Sequence, residues 1–211
     1  MFDLKQSPVP VSPELRGLFS RTWAQIAEPG TWWTGPERVA MAGLARANRS
    51  GDDDREGSLP EAANDAVLLL AVTPSATTAV WVDTVVDGIG LERYIELVGI
   101  VSNVVAVDTV TRLLGCELEP LPSPRDGTPS REPVPHGVKK RSAWVAMVTP
   151  PIPPNVLAAV PAAQAAMCEV TEALYMTGPE MADPDIAKDG LHRTQIELVA
   201  TTTSLANECF Y

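Results

Sequence analysis

The run LERYIELVGIVSNVVAVDTVTRLL, residues 91–114, constrains the fold of this chain more than any other stretch. Its valine and isoleucine content suits strands. Two dozen residues without a turn signal are too many for one strand, so length decides for a helix. Apolar side chains lie nearly all round it, as in a helix packed on most sides. Gly115 follows as a natural C-terminal cap. A chain built about such an element is expected to be all-α.

The flanking segments agree. Ser12 and Pro13 suit the cap and first position of a helix running to about Ile26, closed by Glu28-Pro29-Gly30. Trp32 and Trp33 read as packing anchors. Thr34 and Glu37 have capping-box spacing before an alanine-rich helix to about Asn48. Residues 49–58, RSGDDDREGS, read as a solvated turn, because the acidic triplet lacks calcium-loop spacing. One helix is expected from near Pro60 to Thr73-Pro74, and another from Ser75 to near Asp87-Gly88. Residues 117–135 are dense in proline, serine, glycine and charge, as in a linker or an arm lying along the surface. Residues 142–149 are the only strand-like segment. A helix over 155–175, a break at 178–184 and a last helix from about Asp185 complete the expectation.

With 211 residues there is ample material for a buried core, and 45% apolar but only 5% aromatic residues predict one of alanine, valine and leucine. Sixteen basic against 27 acidic residues give a net charge of −11, which argues against nucleic acid or an anionic membrane as partner. The N-terminus MFDLKQSPVPVSP lacks the basic and apolar regions of a signal peptide. The longest plain apolar run, residues 66–72, is too short to span a bilayer. A cytoplasmic protein is expected. Three widely spaced cysteines imply no disulfide framework, and two histidines leave no legible zinc site. Neither metal nor cofactor is expected, and Cys116 and Cys168 read as small core or surface residues.

Chemistry concentrates in the last twenty residues, HRTQIELVATTTSLANECFY. Glu197, Leu198, Ser204, Asn207 and Cys209 fall on the pattern E-L-x-x-x-x-x-S-x-x-N-x-C. The segment resembles the peroxidase branch of the alkylhydroperoxidase AhpD-like and carboxymuconolactone decarboxylase superfamily, where a second redox cysteine and a histidine follow. Those two positions lie beyond Tyr211. Some members carry selenocysteine at the second position, encoded by a codon read as stop, which would leave a chain ending at Cys-Phe-Tyr.

The resemblance implies an AhpD-like helical bundle with two related helical units joined by a Pro-rich linker. On this view residues 1–122 form a chemically degenerate unit, 123–154 the linker or arm, and 155–211 the unit carrying the redox motif. Cys209 would be the resolving thiol, condensing with the sulfenic or selenenic acid formed by its neighbour. Glu197 would accept or relay the proton, and Tyr211 would line the substrate pocket. The substrate implied is a small peroxide, the reductant a dithiol protein or small thiol, and the assembly a homo-oligomer. Two alternatives stand beside it: an acid–base enzyme of the decarboxylase kind, and a non-catalytic helical oligomerisation protein.

Geometry adds a demand. Twelve helical rises would part Glu197 from Cys209 by roughly 18 Å, so a relay needs a bend, expected at residues 201–204, with Asn207 capping a new helix. A competing role for Glu197 is an i,i+4 pair with Arg193. His192 reads as a surface residue near the helix start, and His136 carries no legible role. A weak internal echo sets Ile95-Glu96-Leu97-Val98 against Ile196-Glu197-Leu198-Val199 and so places Asp108 opposite Cys209.

Overall fold

The computed structural model describes residues 2–51, 59–150, 152 and 155–209. The acidic triplet of the 49–58 loop, Phe210 and Tyr211 lie outside the described residues. The fold is all-α. Among the described residues eight helices run in the order α1 (Pro13–Ala27), α2 (Gly35–Ser50), α3 (Glu61–Val72), α4 (Ala79–Ile89), α5 (Leu91–Leu113), α6 (Pro161–Leu174), α7 (Gly178–Ala182) and α8 (Arg193–Ala206). The only sheet among the described residues pairs two-residue strands, β1 (Ala187–Lys188) and β2 (Leu191–His192), antiparallel. The chain forms two compact units, Met1–Val170 and Thr171–Tyr211, with the boundary inside α6 rather than in the proline-rich segment.

In the first unit α5 is the axis, with α2 and α3 the helices most extensively packed on it. Leu97, Val101, Val104 and Val107 are buried on α5, and the facing Ala42, Ala45, Ala63 and Ala66 are fully buried. Small side chains there let the helix backbones approach closely. A Cβ at Gly99 would stand 3.2 Å from both Ala163 of α6 and Leu157. By length and composition α5, unlike the run at 66–72, could cross a bilayer; two-thirds of its apolar window is buried against the rest of the protein.

The ends follow local chemistry. The Ser12 hydroxyl accepts the Leu15 N–H at 3.1 Å, and Thr34 and Glu37 form a reciprocal capping box. At the far end of α5, Gly115 adopts φ 66°. Its N–H donates to the Arg112 carbonyl at 2.9 Å and that of Cys116 to Thr111 at 3.1 Å, the paired bonds of a Schellman motif.

Residues 117–135 are an extended arm laid on the first unit. Its backbone accepts the Trp23 indole N–H at Pro120, 2.9 Å. It donates from Arg125 to Ala27 and from Ser130 and Arg131 to Gly30 and Thr31, at 2.9–3.0 Å. Irregular backbone next to a core needs such partners for its amides.

Five expectations need correction. The break expected at 178–184 contains the short helix α7, because Thr177 and Glu180 form a capping box that starts it. The helix expected from Ser75 is a 3-10 turn, Pro74–Ala76, followed by α4, because Thr78 caps the Trp81 N–H and starts the helix there. The strand expected at 142–149 is reduced to one bridge, Lys139 to Met147; with no second strand a ladder has nothing to build on. The helix expected from 155 begins at Pro161, where a proline fits the first turn. The segment after Asp185 forms the β1–β2 hairpin before α8 begins at Arg193.

Candidate functional site

Two places gather polar chemistry, one in each unit. In the second unit, α8 is entered through His192, exposed and acting as its N-cap. Arg193 then anchors the helix. Its Nη1 donates to the carbonyls of Glu180 and Met181 at 3.1 and 2.9 Å, and its Nε meets Glu197 Oε1 at 2.7 Å. The same carboxylate oxygen accepts the Tyr175 hydroxyl at 2.8 Å. Glu197 is thus held in an i,i+4 ion pair and by a phenol. Partial burial, then the bond to Glu197, push the Tyr175 hydroxyl above its usual pKa of 10.0.

Helix α8 runs unbroken through residues 201–204, so the bend expected there is absent. β-branched and hydroxyl residues are weak helix formers, yet the Thr202 and Thr203 hydroxyls donate back to the Leu198 and Val199 carbonyls at 2.7 and 2.9 Å and stay within the helix. The break comes later. Asn207 is the C-cap, not the start of a new helix, and Glu208 turns with φ 54°. Cys209 follows directly, exposed and not disulfide-bonded, its N–H donating to the Ser204 carbonyl at 2.9 Å. Glu197 and Cys209 therefore sit at opposite ends of the last ten residues of α8 and its cap, without contact. Tyr211 is outside the described residues. Cys116 is buried and Cys168 partly so, in keeping with packing roles.

The echo between Glu96 and Glu197 places the two carboxylates in opposite settings: Glu96 is 2% exposed, whereas the Glu197 side chain is 41% exposed. Asp108, set opposite Cys209 by that echo, is a buried ion-pair partner. Arg46 grips it with Nε and Nη2 at 2.8 Å each.

The first unit holds a cavity of about 460 Å³ between α1, the turn after it, α5, the arm and α6. Glu96, Gly99, Ile100 and Asn103 form its α5 wall, a spacing of three, four and seven that lies on one helix face. Glu96 pairs with Arg38 and accepts the backbone N–H of Trp32 at 2.6 Å and that of Thr31. Burial nevertheless holds its carboxyl above the ordinary 4.5, outweighing Arg38 and the two N–H donors. Gly30 lies flat on this pair; a Cβ there would come within 1.8 Å of Glu96 Oε1 and 2.2 Å of Arg38 Nη1. With its oxygens engaged in this way, Glu96 braces the cavity floor and is not a free base.

Asn103 differs. It is 6% exposed and lines the cavity, and its amide has no hydrogen-bond partner among the described residues. Sequence reasoning passed over Asn103, Glu96 and Arg38 as site residues. The available signal was Glu96 and Asn103, two polar residues seven apart and so on one face, within the largely apolar middle of the helix. No group of three or more histidine, cysteine, aspartate or glutamate side chains among the described residues is placed to hold a metal.

Compared with protein-family models, with curated proteins and with solved structures, the chain matches none.

Proposed function

We propose that this protein is a thiol-dependent, AhpD-like peroxidase in which Cys209 is the resolving thiol. The observation that carries the reading is Cys209 itself: a free, exposed thiol placed immediately after the break of α8 at Asn207–Glu208. A cysteine in that position is open to a second sulfur or selenium and is not committed to packing. Glu197 itself is fixed by Tyr175 and by the i,i+4 pair with Arg193, the arrangement that competes with a relay role for it, so the reading rests on the thiol.

In the proposed chemistry a thiolate or selenolate at the family's second redox position attacks the peroxide, cleaving the O–O bond and releasing an alcohol or water. The resulting sulfenic or selenenic acid condenses with the Cys209 thiol, forming the bridge and releasing a second water. A dithiol donor then reduces the bridge. With α8 unbroken, Glu197 acts on the thiol only through intervening groups, and its role here is to position Tyr175 and Arg193.

The test compares the full-length natural protein with its Cys209→Ser variant. Peroxide turnover with a dithiol protein donor is expected to fall in the variant, and dimedone to trap a single oxidised site per chain. Unchanged turnover in the variant would sink the assignment.

A further inference from the structure

We propose that the cavity of the first unit is a binding site for a small organic ammonium compound with an apolar body and a hydroxyl or carbonyl at its far end. The inference is independent of the thiols, which belong to other parts of the chain.

Three observations define the ligand. The first is Asn103, nine-tenths buried, lining the cavity, with no partner for its amide among the described residues. An amide that lines a cavity and has no partner from the protein is open to a ligand hydroxyl or carbonyl. The second is charge. Glu132 and Glu169 line the same cavity, are exposed, and have no ion-pair partner among the described residues. The cavity's arginine, Arg38, is already bound to Glu96. An anionic ligand would therefore meet two free carboxylates and no free cation, whereas an ammonium group is drawn to both, helped by a net charge of −11. The third is the apolar part of the lining, where Ile100 and the alanines of α6 offer surface. A cavity of about 460 Å³ falls within the range of small-molecule sites, which join mostly apolar walls to a few placed polar groups.

The full chain is titrated with three probes by isothermal calorimetry and ligand-observed NMR: tyramine, phenethylamine, which lacks the phenol, and 4-hydroxyphenylacetate, which replaces the ammonium by a carboxylate. Tyramine is expected to bind, phenethylamine several-fold more weakly, and 4-hydroxyphenylacetate at least about tenfold more weakly. Asn103→Leu removes the advantage of tyramine over phenethylamine. Should that variant fail to fold, Glu132→Gln with Glu169→Gln, both at exposed positions, is the second arm, and it reduces the preference for tyramine over 4-hydroxyphenylacetate. No tyramine binding up to ~10 mM, the loosest affinity worth assigning to so small a ligand, overturns the proposal. So does equal or tighter binding of the carboxylate, or a probe ranking that neither variant changes.

Discussion

Gly30 shows how much one absent methyl can decide. The turn between α1 and α2 crosses directly over the Arg38–Glu96 pair, and any side chain at Gly30 would occupy the space of the carboxylate. Gly30→Ala is expected to destabilise the first unit by about 1–3 kcal/mol, as overpacking does, seen as a lower urea midpoint with an unchanged slope. Glu96 supplies a second residue-scale test. Its folded pKa lies above 4.5 because burial outweighs Arg38, so the folded state holds this proton more tightly than the unfolded chain. The stability this contributes is full below about pH 4.5 and is lost as pH rises through the folded value. In urea unfolding at successive pH values, wild type should lose stability over that interval more steeply than Glu96→Gln, which has no proton to release. Parallel profiles would refute it.

Among the helices longer than two turns, α8 is the least supported by packing. None of its residues is buried, and Leu198, Val199 and Leu205 are all more than 60% exposed. Its attachment within the second unit is polar and runs through Arg193, which joins the α7 carbonyls to Glu197. Arg193→Ala should weaken protection of α8 amides in hydrogen exchange by about 1–3 kcal/mol, the range for hydrogen bonds to charged groups, while α2 and α5 amides are unaffected. Element ends were the most legible part of this chain. The Ser12 and Thr34 caps, the glycine after α5 and the full length of α5 follow from local chemistry, because a cap needs only its own four or five residues. The β1–β2 hairpin and the late start of α6 were not legible. Each rests on short segments whose preferences are weak, and neighbouring contacts settle them. The unbroken course of α8 through Thr201–Thr203 has the same origin, since back-bonded hydroxyls kept weak helix formers in register.

Across the whole first unit, two arginines of α2 reach two acids of α5. Arg46 does more than pair: besides Asp108 it donates to the Glu119 carbonyl at 2.9 Å and lies 5.5 Å from the Trp23 ring centroid. It thereby joins α1, α2, α5 and the extended arm. Arg46→Met leaves Asp108 buried without its cation and should cost about 3–5 kcal/mol, read from the urea midpoint of the full chain. Replacing both Arg46 and Asp108 by apolar residues of similar size should recover much of that loss; no recovery would mean that the contacts to Glu119 and Trp23 dominate.

Periodicity, caps and run length sufficed to call for helices around a long apolar axis, and the terminal motif was enough to single out Glu197 and Cys209. Those are statements about neighbours along the chain, where spacing converts directly into geometry. The meeting of Arg38 with Glu96, of Arg46 with Asp108, and of Asn103 with Glu132 and Glu169 around one cavity depends on helix packing and on the path of the arm. Residues so far apart along the chain become neighbours only when burial of the α5 surface brings their elements together, and no local pattern records that.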